Sequence, residues 1–200
     1  MATTPPTTSR RGHCERRTSE TAVTCTLLLD GTGQHRIHTG VPFYDHLLQA
    51  FARHSRFDLE LQCQGDLEVD DHHTVEDCAL ALGDCLDQAL GERRGIARFG
   101  HAYAPLDEAL VRAVIDLSGR PFARVELPFV RSQIGGLSME NCGHAMQSLA
   151  MRGRLCLHVD CLQGQNDHHR AEAAWKALAL ALRAAVRRDG EDVPSTKGVL

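Results

Sequence analysis

The chain predicts an α+β fold made of two tandem, similar β-β-α-β-α halves, each a small sheet with helices on one face, packed into one domain. Three observations predict it: alternating apolar runs that meet turns occur twice; an H-x-x-Q-x-x-A stretch follows each; and an Asp-His-His motif then opens an apolar-striped segment in each copy. Period-2 alternation marks a half-buried strand, and a stripe at three- and four-residue spacing marks a helix packed on one side.

Taken in order, "MATTPPTTSRRGH" has the Thr and Pro content of a disordered arm, residues 1 to 13. The first half covers 14 to 95. Val23, Cys25, Leu27 and Leu29 alternate and then meet Asp30-Gly31, which reads as a strand entering a hairpin. "HLLQAFA" at 46 to 52 is an amphipathic helix, and Phe57, Leu59 and Leu61 give a third strand. After "DHHTVED" at 71, the residues Val75, Cys78, Ala79, Leu82, Leu86, Ala89 and Leu90 form a helical stripe that stops at Gly91.

The second half, 96 to 200, repeats the order. Ala109, Val111, Ala113, Ile115 and Leu117 alternate before Ser118-Gly119. "HAMQSLA" at 144 and the strand positions Leu155, Leu157 and Val159 each lie 98 residues beyond their partners, and "DHHRAEA" at 167 lies 96 beyond. A stripe of Trp175, Leu178, Ala179, Leu182 and Val186 follows, and a tail of 189 to 200 ends in "VPSTKGVL". The helical segment before "HAMQSLA" carries Gly143, which weakens it by up to about 1 kcal/mol relative to Ala.

Composition narrows the function. At 42% hydrophobic and 24% charged residues the chain is ordinary globular material. A formal charge of −4 with evenly scattered Lys and Arg leaves no basic stripe for nucleic acid. No run reaches the roughly 18 apolar residues of a membrane span, and the start has no signal-peptide core, so a cytoplasmic protein is expected. Cys14, Cys25, Cys63, Cys78, Cys85, Cys142, Cys156 and Cys161 contain no CxxC pair, which argues against disulfides and a thiolate zinc site.

Histidine is the unusual residue. Each half has one His at the start of its first helix, His46 or His144, then Asp-His-His-x-x-x-Glu at the second: His72, His73 and Glu76, or His168, His169 and Glu172. His and Glu four apart share a helix face, whereas adjacent helical side chains diverge by roughly 100°. Either one His of each pair is incidental, or two centres share the helix. A lone helical His is usually structural, but the same residue types at matching offsets in both halves point to a two-metal site. Imidazole and carboxylate without thiolate suit Mn, Fe or Zn, and four protein ligands on an octahedral ion leave open positions, which favours Mn(II) and catalysis. Arg98, Arg120 and the tail residues Ser195 and Lys197 are weaker candidates for holding an anion.

The runs "GVPFYDHLLQAFARH", "DDHHTVED", "RFGHAYAPLDEAL", "DLSGRP", "NDHHRAEAAWKALALALR" and "PSTKGVL", in that order, closely resemble the imidazoleglycerol-phosphate dehydratase family. The resemblance covers about residues 14 to 200. It implies a manganese-dependent hydro-lyase of histidine biosynthesis that dehydrates D-erythro-imidazole glycerol phosphate to imidazole acetol phosphate. It also implies two Mn2+ per active site and a 24-subunit homo-oligomer with its sites at subunit interfaces. The ligand sets it implies are His46, His73, His169 and Glu172 for one ion, and His72, Glu76, His144 and His168 for the other. Glu20 is implied as the acid/base, with Glu172 and His72 beside it in catalysis. The phosphorylated imidazole substrate is implied to meet Glu20, His46, His54, His72, His168, Arg98, Arg120, Lys176, Ser195 and Lys197. Family members often carry Gln where this chain has Ala50.

Two other classes fit part of the pattern. A ferritin-like di-iron protein uses Glu and His at helical spacing but needs four long helices and no strands, which the alternating runs oppose. A metal-stabilised assembly protein would bind the ions without turnover.

Overall fold

The computed structural model describes residues 9–198 and 200, and its two halves have nearly the same order of elements. The first runs β1 (Arg11–Arg17), β2 (Thr21–Leu28), β3 (His35–His38), α1 (Pro42–Ser55), β4 (Asp58–Gly65) and α2 (His72–Leu90). The second runs β5 (Phe99–Leu106), β6 (Ala109–Asp116), β7 (Phe122–Glu126), β8 (Gln133–Ile134), β9 (Leu137–Ser138), α3 (Met139–Arg152), β10 (Cys156–Gln163) and α4 (Asp167–Ala185). Residues 1–8 of the expected arm lie outside the described residues. Arg11 to His13, the end of that arm, belong to β1.

Each main sheet has one strand more than the sequence pattern predicts, because β1 and β5 precede the first predicted strands, and the second half adds the short β8–β9 pair. The hairpin also falls elsewhere. The first sheet has the order β1-β2-β4-β3 and the second β5-β6-β10-β7. The antiparallel hairpins are β1 with β2 and β5 with β6, while β3 runs parallel to β4 and β7 parallel to β10. Asp30-Gly31 therefore opens a crossing loop. Asp58 at the start of β4 explains it: its Oδ1 accepts N–H bonds from Thr32, Gly33 and Gln34 at 2.8, 3.0 and 2.8 Å. These bonds wind the loop around β4, which occupies the place beside β2 that a hairpin would give β3.

Each sheet turns one face to the helices. In the first, Val23, Cys25, Leu27, Leu59 and Leu61 are buried, whereas Thr24, Glu60 and Gln62 are exposed. Helix α2 lies on β1 and β2, and α4 on β5 and β6; α1 then packs against α4 and α2 against α3, so one core joins both halves. Trp175 of α4 is fully buried, with ring centroids 5.9 Å from Tyr44 and 6.1 Å from Phe51, both on α1.

Two inward-facing glycines set the distance between sheet and helix. A Cβ on Gly12 of β1 would stand 2.0 Å from the Cys85 carbonyl oxygen of α2, and one on Gly100 of β5 would stand 2.0 Å from that of Ala181 in α4. Only hydrogen fits there. Helix α3 continues through Gly143, where a Cβ would meet only Val125 Cγ1 at 3.7 Å. Among the described residues no helix is long and apolar enough to cross a membrane.

Candidate active site

The packing of α1 on α4 and α2 on α3 decides which histidines meet. His46, near the start of α1, faces Glu172 of α4, with Nε2 3.2 Å from Oε2; His168, one turn before Glu172, brings its own Nε2 to 3.3 Å from the same oxygen. In the other pair of helices His144 of α3 sets Nε2 3.0 Å from Glu76 Oε1 of α2, and its ring stacks on His72 at a centroid distance of 5.0 Å. Each triad holds its ligand atoms within 4.8 Å of one another. Each also mixes the halves, joining a first-helix His from one to a His and Glu from the other.

This grouping is that of one chain, whereas the ligand division that the resemblance implied draws on two subunits. Within the chain His168 stands with His46 and Glu172, and it does not join His72, Glu76 and His144. The i, i+4 spacing places His168 over Glu172, and His169 is turned away by about 100°.

His73 and His169 stand outside both triads. His73 Nδ1 lies 3.0 and 3.3 Å from the two carboxylate oxygens of Asp66, and its Nε2 is 3.8 Å from Glu20. His169 Nδ1 lies 2.7 Å from Glu108 Oε2, and its Nε2 is 3.8 Å from Asp107. The bonds to Asp66 and Glu108 raise the pKa of each imidazole above its ordinary value. Glu108 itself is held down at about 2, by the N–H of Asn166, by His169 and by the N–H of Gln165.

The loops before α2 and α4 are fixed in matching ways. Asp70 Oδ1 accepts the N–H of His72 at 2.8 Å, and Asn166 Oδ1 accepts that of His168 at 2.9 Å. The buried carboxylates that follow reach outward: Asp71 takes the N–H and hydroxyl of Ser138 at 2.8 and 2.6 Å, and Asp167 takes the N–H groups of Val130 and Arg131 at 2.8 and 2.6 Å. His72 Nδ1 is 3.1 Å from Asn141 Oδ1.

Glu172 has its oxygens divided. Lys176 Nζ sits 2.6 Å from Oε1, leaving Oε2 to the two imidazoles. Burial pushes the carboxyl up, but the Lys176 ammonium and His46 outweigh it and hold the group down at about 2. Burial and the Lys176 charge lower the pKa of His54.

The candidates for anion binding separate in space. Arg98 bonds both oxygens of Asp116 at 2.7 and 3.1 Å and donates to the Pro194 carbonyl at 2.8 Å, which ties down the tail carrying Ser195 and Lys197. A Cβ on Gly119, beside the exposed Arg120, would lie 3.0 Å from the Leu200 carbonyl carbon, so this turn also meets the tail. Lys176 stays with Glu172, nine residues before the Ala185 carbonyl that accepts the Arg98 N–H, or about 14 Å along the helix. Glu20 stands on the exposed β1–β2 turn, where Thr18 Oγ1 accepts its N–H at 3.1 Å and that of Thr21 at 2.9 Å. The buried Asp77 of α2 accepts from the Thr21 hydroxyl and anchors the turn. An open cavity of about 520 Å³ adjoins His144, walled by Val125, Leu127, Phe129 and Met139.

Sequence reading passed over Asp66, Glu108 and Asn141. None has a fixed spacing from the motif it serves, so no local signal marks them.

The profile of the imidazoleglycerol-phosphate dehydratase family matches residues 39–182. A relative from Salinibacter ruber bearing that name is 54% identical over 199 residues, which are 98% of each chain. One from Cereibacter sphaeroides is 50% identical over 96% of this chain and 100% of its own. One from Phytophthora nicotianae is 55% identical over 96% of this chain, which spans only 42% of that longer protein. Among solved structures, the Staphylococcus aureus imidazoleglycerol-phosphate dehydratase superposes with a TM-score of 0.81 at 30% identity, covering 89% of this chain and 99% of its own. The Pyrococcus furiosus one does so with a TM-score of 0.81 at 34% identity, covering 94% and 100%.

Proposed function

Because the chain belongs to the imidazoleglycerol-phosphate dehydratase family, hydro-lyases of histidine biosynthesis, we propose that it removes water from imidazole glycerol phosphate to give imidazole acetol phosphate, using two Mn(II) ions. The observation that carries the reading is the pair of triads, His46, His168 and Glu172, and His72, Glu76 and His144. Their donors fit the ion: imidazole and carboxylate without thiolate suit Mn(II), and three ligands per triad leave room for a fourth protein ligand and for substrate. The fourth ligands are His73 and His169. Neither belongs to a triad of its own chain, which supports their going to neighbouring subunits. That places the sites between subunits of a homo-oligomer, for which we adopt the 24-subunit particle implied by the resemblance, in the cytoplasm.

The carbon that loses its proton is one removed from the imidazole ring, next to the ring-bearing carbon that loses its hydroxyl, and it has no carbonyl beside it to take up the charge. When bound, the ions supply Lewis acidity to the ring nitrogens and so the missing electron sink. The protein's residues do the rest. Glu20, on its fixed turn, moves the proton at that carbon, a task worth roughly 10²–10⁴-fold in rate. Hydroxide leaves the neighbouring carbon as water, and the resulting enol rearranges to the ketone. His72 and Glu172 hold the reacting ring in line with Glu20. Arg98, Arg120, Ser195 and Lys197 bind the phosphate through charge-assisted hydrogen bonds, and Lys176 and His54 line the Glu172 side.

Chelation of the full chain should abolish dehydration, and added Mn(II) should restore it. Full turnover in a rigorously metal-free preparation sinks the reading. Metal binding with no turnover on this substrate would favour the assembly-protein reading instead.

A further inference from the structure

The second histidine of each motif is held by a carboxylate that no motif contains. Asp66 faces His73 Nδ1 with both oxygens, and Glu108 faces His169 Nδ1 with Oε2. A carboxylate can only accept, so each ring must donate its Nδ1–H, which puts the lone pair on Nε2. In neither case does Nε2 belong to a triad of the chain: it lies 3.8 Å from Glu20 in His73 and 3.8 Å from Asp107 in His169. The triad histidines 46, 144 and 168 do the reverse and turn Nε2 onto a triad Glu.

We propose that Asp66 and Glu108 are positioning residues that fix the tautomer and direction of His73 and His169, so that each presents Nε2 as a ready ligand to a neighbouring subunit. The proposal rests on the ligand roles given to these two histidines above. Outer carboxylates on ligating imidazoles raise ligand basicity and hold the ring, and their loss typically costs about 10–100-fold in metal affinity.

The two dyads are one device built from different places in the fold. Asp66 lies just after β4. Glu108 lies at the tip of the β5–β6 hairpin, eight residues beyond Gly100, and the residue eight beyond Gly12 in the first half is Glu20. The second half spends its hairpin carboxylate on His169. In the first half Asp66 takes that duty, and Glu20 is left 3.8 Å from the ring, too far for a hydrogen bond to it. Glu108 has a second attachment: its Oε1 accepts the N–H of Gln165 at 3.0 Å and of Asn166 at 2.8 Å, joining the hairpin to the start of α4.

The test is Mn(II) titration of the full chain after metal removal, with affinity and ions per chain as readouts. Glu108→Gln keeps an oxygen for the two backbone N–H groups but sets an amide donor against Nδ1, which favours the Nε2–H tautomer that cannot ligate. It should weaken one of the two ions about 10–100-fold and leave the other unchanged, and Glu108→Asp should recover part of the loss. Asp66→Ala should weaken the other ion by a similar factor. Asp66→Asn should cost less, because the amide can turn its oxygen to Nδ1. Among the described residues the Asp66 side chain bonds only His73, so Asp66→Ala carries the test if Glu108→Gln fails to fold. Wild-type affinity in Glu108→Gln and Asp66→Ala, where His73→Ala and His169→Ala each lose an ion, overturns the positioning role alone. Two tightly bound ions in both His→Ala variants overturn the ligand assignment and this proposal together.

Discussion

Lys176 and Glu172, one turn apart on α4, form a 2.6 Å ion pair that occupies one carboxylate oxygen and leaves the other to His46 and His168. Lys176 is largely buried in this position, with 18% of its side chain exposed, so the pair is a fixed part of the site. Glu172 thereby serves two partners with two oxygens, and the imidazoles of two helices converge on one of them.

Metal analysis of single variants tests the division into triads. Glu172→Gln and His168→Ala should each lose one ion per chain, and so should Glu76→Gln and His144→Ala. A double variant within a triad should lose no more than either single one. A double variant across the triads, such as His144→Ala with His168→Ala, should lose both ions. If His168→Ala depletes the same ion as His144→Ala, the grouping seen within the chain does not survive assembly.

The close approach of sheet and helix makes a stability prediction with opposite signs at different glycines. Gly100→Ala and Gly12→Ala drive a methyl group into a backbone carbonyl and should each cost about 3 kcal/mol. Gly143→Ala meets ordinary van der Waals contact within a helix and should stabilise by up to about 1 kcal/mol. Urea unfolding followed by the fluorescence of Trp175, the single tryptophan, reads both effects.

Asp71 begins α2 in the first half and holds Ser138, which precedes α3 in the second. Asp71→Ala should cost about 2 kcal/mol, since it leaves two half-buried donors without their acceptor, and Ser138→Ala should cost about 1 kcal/mol. The same unfolding measurement applies. Equal, negligible losses would show that the two halves do not depend on this junction.

Asp58 should contribute to the acid limb of stability. Burial pushes its carboxyl up, but the N–H groups of Thr32, Gln34 and Gly33 outweigh it and hold the group below the usual carboxylate range. A depressed folded pKa gives stability that is present above the unfolded value, near 4, and is lost as pH falls through the lower folded value. Asp58→Asn should therefore cost about 1 kcal/mol at neutral pH, the charge being partly screened by solvent. The gap to the parent chain should narrow as the pH is lowered from about 5 towards 2. A gap that stays constant over that range would deny the ionised carboxylate its role.

Much of this was legible before any coordinates. The duplicated motifs marked six His and two Glu, and helical geometry required each adjacent pair to diverge. Strands β2, β4, β6 and β10 announced themselves because their inward positions carry Val, Leu, Ile and Cys. Strands β1 and β5 did not, because at Gly12 and Gly100 the helix backbone comes so close that the inward residue has no side chain to register in a period-2 pattern. The hairpin expected at Asp30-Gly31 is a loop for a related reason. A turn signal such as Asp30-Gly31 reports a local bend, while Asp58, 28 residues further on, determines where the chain goes after it. Glu108 was invisible because it meets His169 only through the tertiary fold, and Asp66, seven residues before His73, because the path of the loop between them follows no periodic pattern.

Because each triad draws on both halves, neither half contains a whole one. A half-length ancestor could have built both by pairing with its own copy, since a twofold axis presents every contact twice. Fusion would have made the two copies separately mutable while keeping the paired geometry. Glu20 and Glu108, each eight residues beyond its close-packed glycine, are matched positions that now meet their histidines differently.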